Sequence, residues 1–365
     1  MSFVQAPLFS DAYERASRQL PVLGEQRDIA YVGTRAKSVL NGPEVTGMGF
    51  WSINPYIGCA FGCTYCYARY AHRYVMERSV TADVLREDVR QAAAAMPPWL
   101  AFERRIFVKQ NAPEVLARTL RQGSDRHRGL VEGETVLVGT ATDPYQPAER
   151  RYRVTRGILE VLAQHPGMDI VIITKSPLIT RDLDVLRRIA RHSELSVHLS
   201  LITLDRALAR RIEPRAPTPE ARLRALVRIR ESGIDAGINC MPVLPGITDD
   251  PRGLEALVKR AADAGATFVN VSSLRLRKTA QQRYFPFIER EFPHLAAEYR
   301  RAYATTWHLS DRYRESLGKF FDKLCRKYGV ETRMGRSEED EGEAERTVEG
   351  LPAQLSLWEA TRNKD

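Results

Sequence analysis

Three of the chain's five cysteines, Cys59, Cys63 and Cys66, fall within eight positions of the stretch NPYIGCAFGCTYCYARY. Cysteine thiolates are the usual ligands of iron–sulfur clusters, one per iron in the ordinary four-iron case. A C-x3-C-x2-C trio supplies one thiolate fewer, so a [4Fe–4S] cluster held here keeps one iron open. An open iron is a place for chemistry rather than for electron storage alone. The competing reading is structural zinc, which asks for four closed ligands; the nearby residue to complete such a set is His72. Cys240 and Cys325 lie far off in apolar segments. A disulfide would leave one of the three odd. The histidines at 72, 127, 165, 192, 198, 294 and 308 form no ligand spacing and read as structural.

These cysteines need a frame. From Gly49 onward, short β-branched runs alternate with amphipathic helical patterns. Strands are expected at Gly49–Asn54, Arg105–Lys109, Thr135–Thr140, Asp169–Lys175, Ser196–Thr203, Asp235–Val243 and Thr267–Ser273. Helices are expected at Arg151–Gln164, Thr180–Arg191, Pro219–Ser232 and Gly253–Ala264, the last two closed by Gly233 and Gly265. Such alternation implies parallel β/α units. Six or seven units are too few for a closed eight-fold barrel. In folds of this kind the site gathers at the C-terminal strand ends. There the sequence offers the cysteine loop, Asn111, Ala141–Tyr145, Lys175–Ser176, Ser200–Thr203 and Pro245–Gly246. Lys175 closes the apolar run DIVIITK, and a buried strand ending on an inward lysine needs a partner for its charge. Asp143, before Pro144, suits a turn.

The cysteine loop, with Tyr65 inside it and Tyr67 just after, resembles that of the radical S-adenosylmethionine (SAM) enzymes. The segments GTATDPYQPAER, IITKSPLITRD and IEPRAPTPEAR extend the likeness to the spore photoproduct lyase-like branch, over about residues 35–330. This resemblance implies a partial (β/α)6-type TIM barrel, to which the residues past the last strand add a C-terminal helical extension, about Arg283–Tyr328, and an acidic tail whose composition reads as disordered. It implies that Cys59, Cys63 and Cys66 hold a [4Fe–4S] cluster whose open iron chelates SAM, which is cleaved to a 5′-deoxyadenosyl radical. It implies SAM contacts from Tyr65, Thr142, Asp143, Lys175 and Ser200, and a radical-path role for Tyr67. A reductant such as flavodoxin or ferredoxin would supply the electron. The branch's hydrogen-donating cysteine is matched here by Thr140, which puts photoproduct lysis by that route in doubt. Cys240 reads as core.

Expected boundaries are an N-terminal arm of little periodicity (1–45), the barrel (46–280), the helical extension (281–334) and an acidic linker with an apolar peptide (335–365). No apolar run approaches the roughly 20 residues of a membrane span. The opening MSFVQAPLFSDAYERAS has no basic or apolar signal-peptide region, so a reducing cytoplasm is expected. Ser337–Glu349 carries seven acidic residues and one arginine, net −6, which leaves +15 on the rest of a chain whose total is +9. That excess suits a nucleic-acid partner, with Arg275, Arg277, Lys278 and Arg283 as phosphate contacts. A peptide or small-molecule substrate, or a non-enzymatic zinc module, are the alternatives. Gln354–Trp358 (QLSLW) resembles the peptide by which bacterial repair proteins dock on the sliding clamp.

Overall fold

The computed structural model describes residues 22–26, 28–43, 49–69, 96–121 and 134–333. The acidic linker and the Gln354–Trp358 peptide lie outside the described residues, as do His72 and His127. Eleven strands are described: β1 (Val22–Gln26), β2 (Ile29–Thr34), β3 (Leu40–Asn41), β4 (Trp51–Ile53), β5 (Tyr56–Ile57), β6 (Arg105–Lys109), β7 (Thr135–Val138), β8 (Asp169–Thr174), β9 (Glu194–Ser200), β10 (Asp235–Val243) and β11 (Val269–Ser273). A seven-stranded sheet runs β11-β10-β9-β8-β7-β4-β3. All its pairs are parallel except the edge pair β3–β4. The parallel strands are the β/α units of the expected partial barrel. Their C-terminal ends therefore share one rim.

The helices between them start and stop where side chains satisfy the chain ends. Helix α1 (Pro219–Glu231) begins with Pro219 in its first turn and Thr218 as cap, and Gly233 follows it at φ +80°. Helix α2 (Pro251–Asp263) begins on Asp250, whose carboxylate accepts from Gly253 N at 2.8 Å, and Gly265 follows at φ +82°. A positive φ excludes most side chains, so glycine is the natural residue at both stops. Strand β8, DIVIIT, alternates partly and fully buried positions, as a strand packed tightly on one face must. The extension is helical: α3 (Lys278–Glu291), α4 (Ala296–Ala302) and α5 (Asp311–Tyr328). It also protects the far edge of the sheet. Val269 N donates to the Glu331 carbonyl at 2.8 Å and Glu331 N to the Thr267 carbonyl at 2.9 Å.

Two expectations need correction. Arg105–Lys109 is a strand, but it belongs to a second sheet of order β1-β2-β6-β5, outside the barrel. Its register is parallel to β2, Ala30 facing Arg105 and Thr34 facing Lys109. Asn111 at its end accordingly serves the arm and not the barrel rim. Its side chain accepts from Ala36 N at 2.7 Å and donates to the Ala36 carbonyl at 3.0 Å. The arm itself is structured over β1–β3. An apolar pattern names a strand's type without naming its partner, and IAYVGT is too short and too apolar for period two to show.

His198, on β9, lies against the Phe268 ring with centroids 4.5 Å apart. Burial, aided by the nearby Arg333 charge, pushes its imidazole down to about 4 from the ordinary 6.5. A depressed imidazole pKa means the unfolded chain binds the extra proton first. Stability tied to His198 is therefore complete above about pH 6.5 and lost as pH falls toward 4, by on the order of 2–3 kcal/mol. Urea unfolding at several pH values should show this slope in the wild type and a shallower one in His198→Asn.

Candidate active site

The cysteine loop follows the short strand β5 and contains almost no regular structure, so its backbone polar groups need tertiary partners. Three distant segments and Arg69 at the loop's own end supply them. Cys59 N donates to the Phe102 carbonyl (2.9 Å), Ala60 N to Gln146 Oε1 (2.9 Å) and Thr64 N to the Ile212 carbonyl (3.0 Å). The Gly58 carbonyl accepts from the Thr142 hydroxyl at 2.6 Å and from Gln146 Nε2 at 3.1 Å. Arg215 donates through Nε to the Ala60 carbonyl (2.5 Å), and its backbone N donates to the Phe61 carbonyl (3.2 Å). Arg69, fully buried, donates to the Cys63 carbonyl at 2.7 Å. Both arginines meet the buried Glu103, Arg215 at 2.8 Å and Arg69 at 3.8 Å. Gly62 sits at φ +65°, and a Cβ there would come within 2.1 Å of Glu103 Oε2.

All five cysteines are free thiols. Burial raises Cys59, to about 12, and also Cys63 and Cys66 above their ordinary value. Cys63 feels both other thiols of the trio, and Cys59 feels Cys66. Backbone N–H groups of Phe61 and Asp143 face the Cys59 sulfur, and that of Ala68 faces Cys66; such donors favour thiolate. Among the described residues no three His, Cys, Asp or Glu side chains close around a single ion. A buried all-thiol trio that is not drawn onto one point fits a polynuclear cluster, whose own sulfides lie between the ligands. Ligation would release the protons that burial now holds on sulfur.

Beneath the loop lies a buried charge group. Glu213 accepts from the Tyr65 hydroxyl, pairs with Arg222 at 2.5 Å and lies 3.8 Å from Lys175 Nζ. Arg222, 1% exposed, also donates to the Ser200 carbonyl at 2.8 Å and the Pro217 carbonyl at 3.0 Å. Burial would raise Glu213, but the charges of Arg222 and Lys175 hold its carboxyl below the ordinary value. Burial would lower Lys175, but Cys63 and Glu213 hold it above its ordinary value. Lys175 also stands 5.8 Å from the Tyr65 ring centroid. The partner that the strand-end lysine required is therefore Glu213. Sequence reasoning missed Glu213 and Arg222 as individual residues, although IEPRAPTPEAR contains both. It also missed Lys109, whose ammonium donates to the Asn54 carbonyl at 2.7 Å and is pushed down to about 8 by burial.

The remaining singled-out residues divide by what they touch. The Asp143 carboxylate accepts from Tyr145 N (2.9 Å), the Thr174 hydroxyl (2.7 Å) and Lys175 N (2.8 Å), which ties the turn after β7 to the end of β8. Ser200 closes β9 opposite Asn239 of β10. Tyr67, 44% exposed, donates to the Thr140 carbonyl. Arg283, expected to face phosphate, instead turns onto Glu103 at 3.4 Å and the Trp99 ring. Cys240 is fully buried in β10.

Removing one member of a buried ion pair strands the other, at a cost of about 3–5 kcal/mol. Glu213→Ala should lose stability of that order in chemical denaturation, and Glu213→Gln, which keeps an acceptor for Arg222 and Tyr65, distinctly less.

The model of the radical SAM superfamily matches residues 53–258, from β4 into α2. The chain is similar to an uncharacterised protein of Mycobacterium tuberculosis, 36% identical over 294 residues, 80% of this chain and 79% of that one. An uncharacterised protein of the Acidianus two-tailed virus is 29% identical over 76% of this chain and 80% of its own. Among solved structures, a spore photoproduct lyase variant with bound AdoMet and dinucleoside spore photoproduct has a TM-score of 0.58 at 14% identity, covering 85% of each chain. A likeness at that identity is one of fold. The superfamily match spans the strands that carry the cysteine loop, Lys175 and Glu213, and its cofactors are a [4Fe–4S] cluster and SAM. The chain belongs to the radical SAM superfamily.

Proposed function

We propose that the enzyme directs SAM radical chemistry at a nucleic-acid substrate, in repair or modification. The observation that carries this reading stands just past the C-terminal end of β11. The guanidiniums of Arg275 and Arg277 lie 5.6 and 5.1 Å from the ring centroid of Trp307, which is 39% exposed. An exposed ring beside two arginines offers base stacking and phosphate attraction in one place. The charge of +15 outside the acidic linker supports it. So does the fold shared with a lyase crystallised with a dinucleoside photoproduct.

In this reading Cys59, Cys63 and Cys66 hold the cluster, which when bound supplies reductive cleavage of SAM to methionine and a 5′-deoxyadenosyl radical. Lys175 receives the SAM carboxylate, its ammonium held between Glu213 and the Tyr65 ring. Thr142 and Asp143 set the loop and the β8 end at which SAM binds, and Ser200 offers a further polar contact. Tyr67, exposed beside Thr140, takes the radical-path role. Position 140 offers no thiol, and its side-chain hydroxyl already accepts from Asn54 at 3.1 Å. Cys240 is enclosed, so neither position supplies the hydrogen donor of photoproduct lysis, and we infer a different outcome for the substrate radical. Flavodoxin or ferredoxin is the proposed electron source. The cytoplasm is the proposed compartment, and no described helix is long and apolar enough to cross a membrane. The proposal that Gln354–Trp358 tethers the enzyme to a sliding clamp rests on sequence alone.

Anaerobic reconstitution with iron, sulfide, SAM and dithionite should yield 5′-deoxyadenosine from the wild type and none from Cys59→Ala, Cys63→Ala or Cys66→Ala. Stoichiometric zinc without acid-labile sulfide would overturn the cluster assignment. If a peptide but no DNA or RNA raises the yield, the substrate reading fails instead.

Lys175→Ala should weaken SAM binding by about 1.5–3 kcal/mol, the worth of a charge-assisted hydrogen bond, while Arg222 keeps Glu213 paired. Equilibrium dialysis of SAM against the reconstituted variant is the check, and unchanged affinity would remove Lys175 from the site.

A further inference from the structure

A cleft of about 690 Å³ lies on the flank of the cysteine loop, between the second sheet and the loops after β7, β8 and β9. Four arginines line it, Arg150, Arg151, Arg210 and Arg215, and no Asp or Glu is among the described residues that do. Tyr31 and Tyr152 form one wall, their rings tilted by 59° with centroids 5.7 Å apart. Arg151 stands 5.5 Å over the Tyr152 ring. Arg150 and Arg151 are exposed, and neither is ion-paired with a carboxylate among the described residues. Arg215 differs, since Glu103 holds it.

We infer that this cleft binds the phosphodiester backbone and bases of a single-stranded nucleic acid as it passes the cysteine loop. A concave surface on which Arg150 and Arg151 have no counter-carboxylate among the described residues attracts a polyanion. Charge alone would serve an acidic protein equally well. The partly exposed Tyr152 ring among the arginines, backed by the buried Tyr31, favours a strand whose every unit carries a phosphate and a π surface. The position also fits. Phe61, between Cys59 and Cys63, lines the cleft, and so does Ser176, next to Lys175. The three cysteines and Lys175 do not line it. The cleft therefore adjoins the cofactor site without being part of it. A strand lying here has its neighbouring nucleotides within reach of the strand-end rim. This inference rests on the nucleic-acid reading given above.

The test is fluorescence anisotropy of the full-length reconstituted protein with fluorescein-labelled oligothymidylate or oligouridylate across a salt series. Each phosphate contact on a single strand contributes about 0.7 to the slope of log K against log salt. Arg150→Gln/Arg151→Gln should lower the slope by about 1.4 and weaken binding at low salt. Arg188→Gln/Arg191→Gln, which removes the same charge elsewhere, should leave the slope near the wild-type value. Tyr152→Leu, confirmed folded by circular dichroism, should weaken binding about five-fold or more with the slope unchanged. Wild-type affinity and slope in Arg150→Gln/Arg151→Gln overturn the cleft assignment and leave the nucleic-acid reading standing. Absence of oligonucleotide binding by the wild type at low salt overturns both. Should Arg150→Gln/Arg151→Gln keep its oligonucleotide affinity but lose turnover with reduced flavodoxin and not with dithionite, the cleft belongs to an acidic redox protein and the inference fails.

Discussion

An irregular loop buried beside a charged cavity must find a partner for each backbone polar group, and this constraint shapes much of the protein around residues 58–69. Helices and sheets satisfy their own N–H and C=O groups; this loop cannot, because spacing three thiols toward one volume excludes a repeating backbone. The partners come from the helix end at Phe102, the turn after β7 (Thr142, Gln146), the segment after β9 (Ile212, Arg215) and Arg69 of the loop itself. An unpaired buried amide or carbonyl costs about 1–3 kcal/mol, so each of these contacts restricts the loop to one shape.

The same region manages charge by sharing carboxylates. Glu103 meets Arg69, Arg215 and Arg283; Glu213 meets Arg222 and Lys175. Two buried acids thus serve five cations, which leaves a positive excess under the loop. A [4Fe–4S] cluster held by three thiolates is anionic, and so is the carboxylate of SAM. A site with a surplus of fixed positive charge suits both, and it restrains Lys175 at a strand end where water alone would leave it mobile. Asp143 contributes differently, since its oxygens join the β7 turn to the β8 end through neutral donors.

Barrel and second sheet also divide the work. The parallel strands bring the loop ends to one rim, because parallel pairing points every C-terminus the same way. The four-stranded sheet lies outside that sheet, and its Tyr31 forms part of the arginine-lined cleft. One flank of the cysteine loop thereby faces the strand-end rim and the other faces the arginine-lined cleft.

The sequence by itself determined the local features: the thiol trio, the strand and helix types, the glycine stops at 233 and 265, and Lys175 at a strand end. Each depends on residue type and short spacing, which a linear reading contains. Only tertiary structure decided what pairs with what. Nothing in RIFVK says that it pairs with IAYVGT instead of joining the barrel, and an arm without period two conceals strands that a second sheet stabilises. Glu213 and Arg222 stand nine positions apart around three prolines and become an ion pair only when the segment after β9 folds beneath the cysteine loop. Asn111, a rim residue by its place after a strand, serves the arm for the same reason. Long-range pairing is chosen by the summed burial and hydrogen bonding of the whole chain, and no local pattern carries that sum.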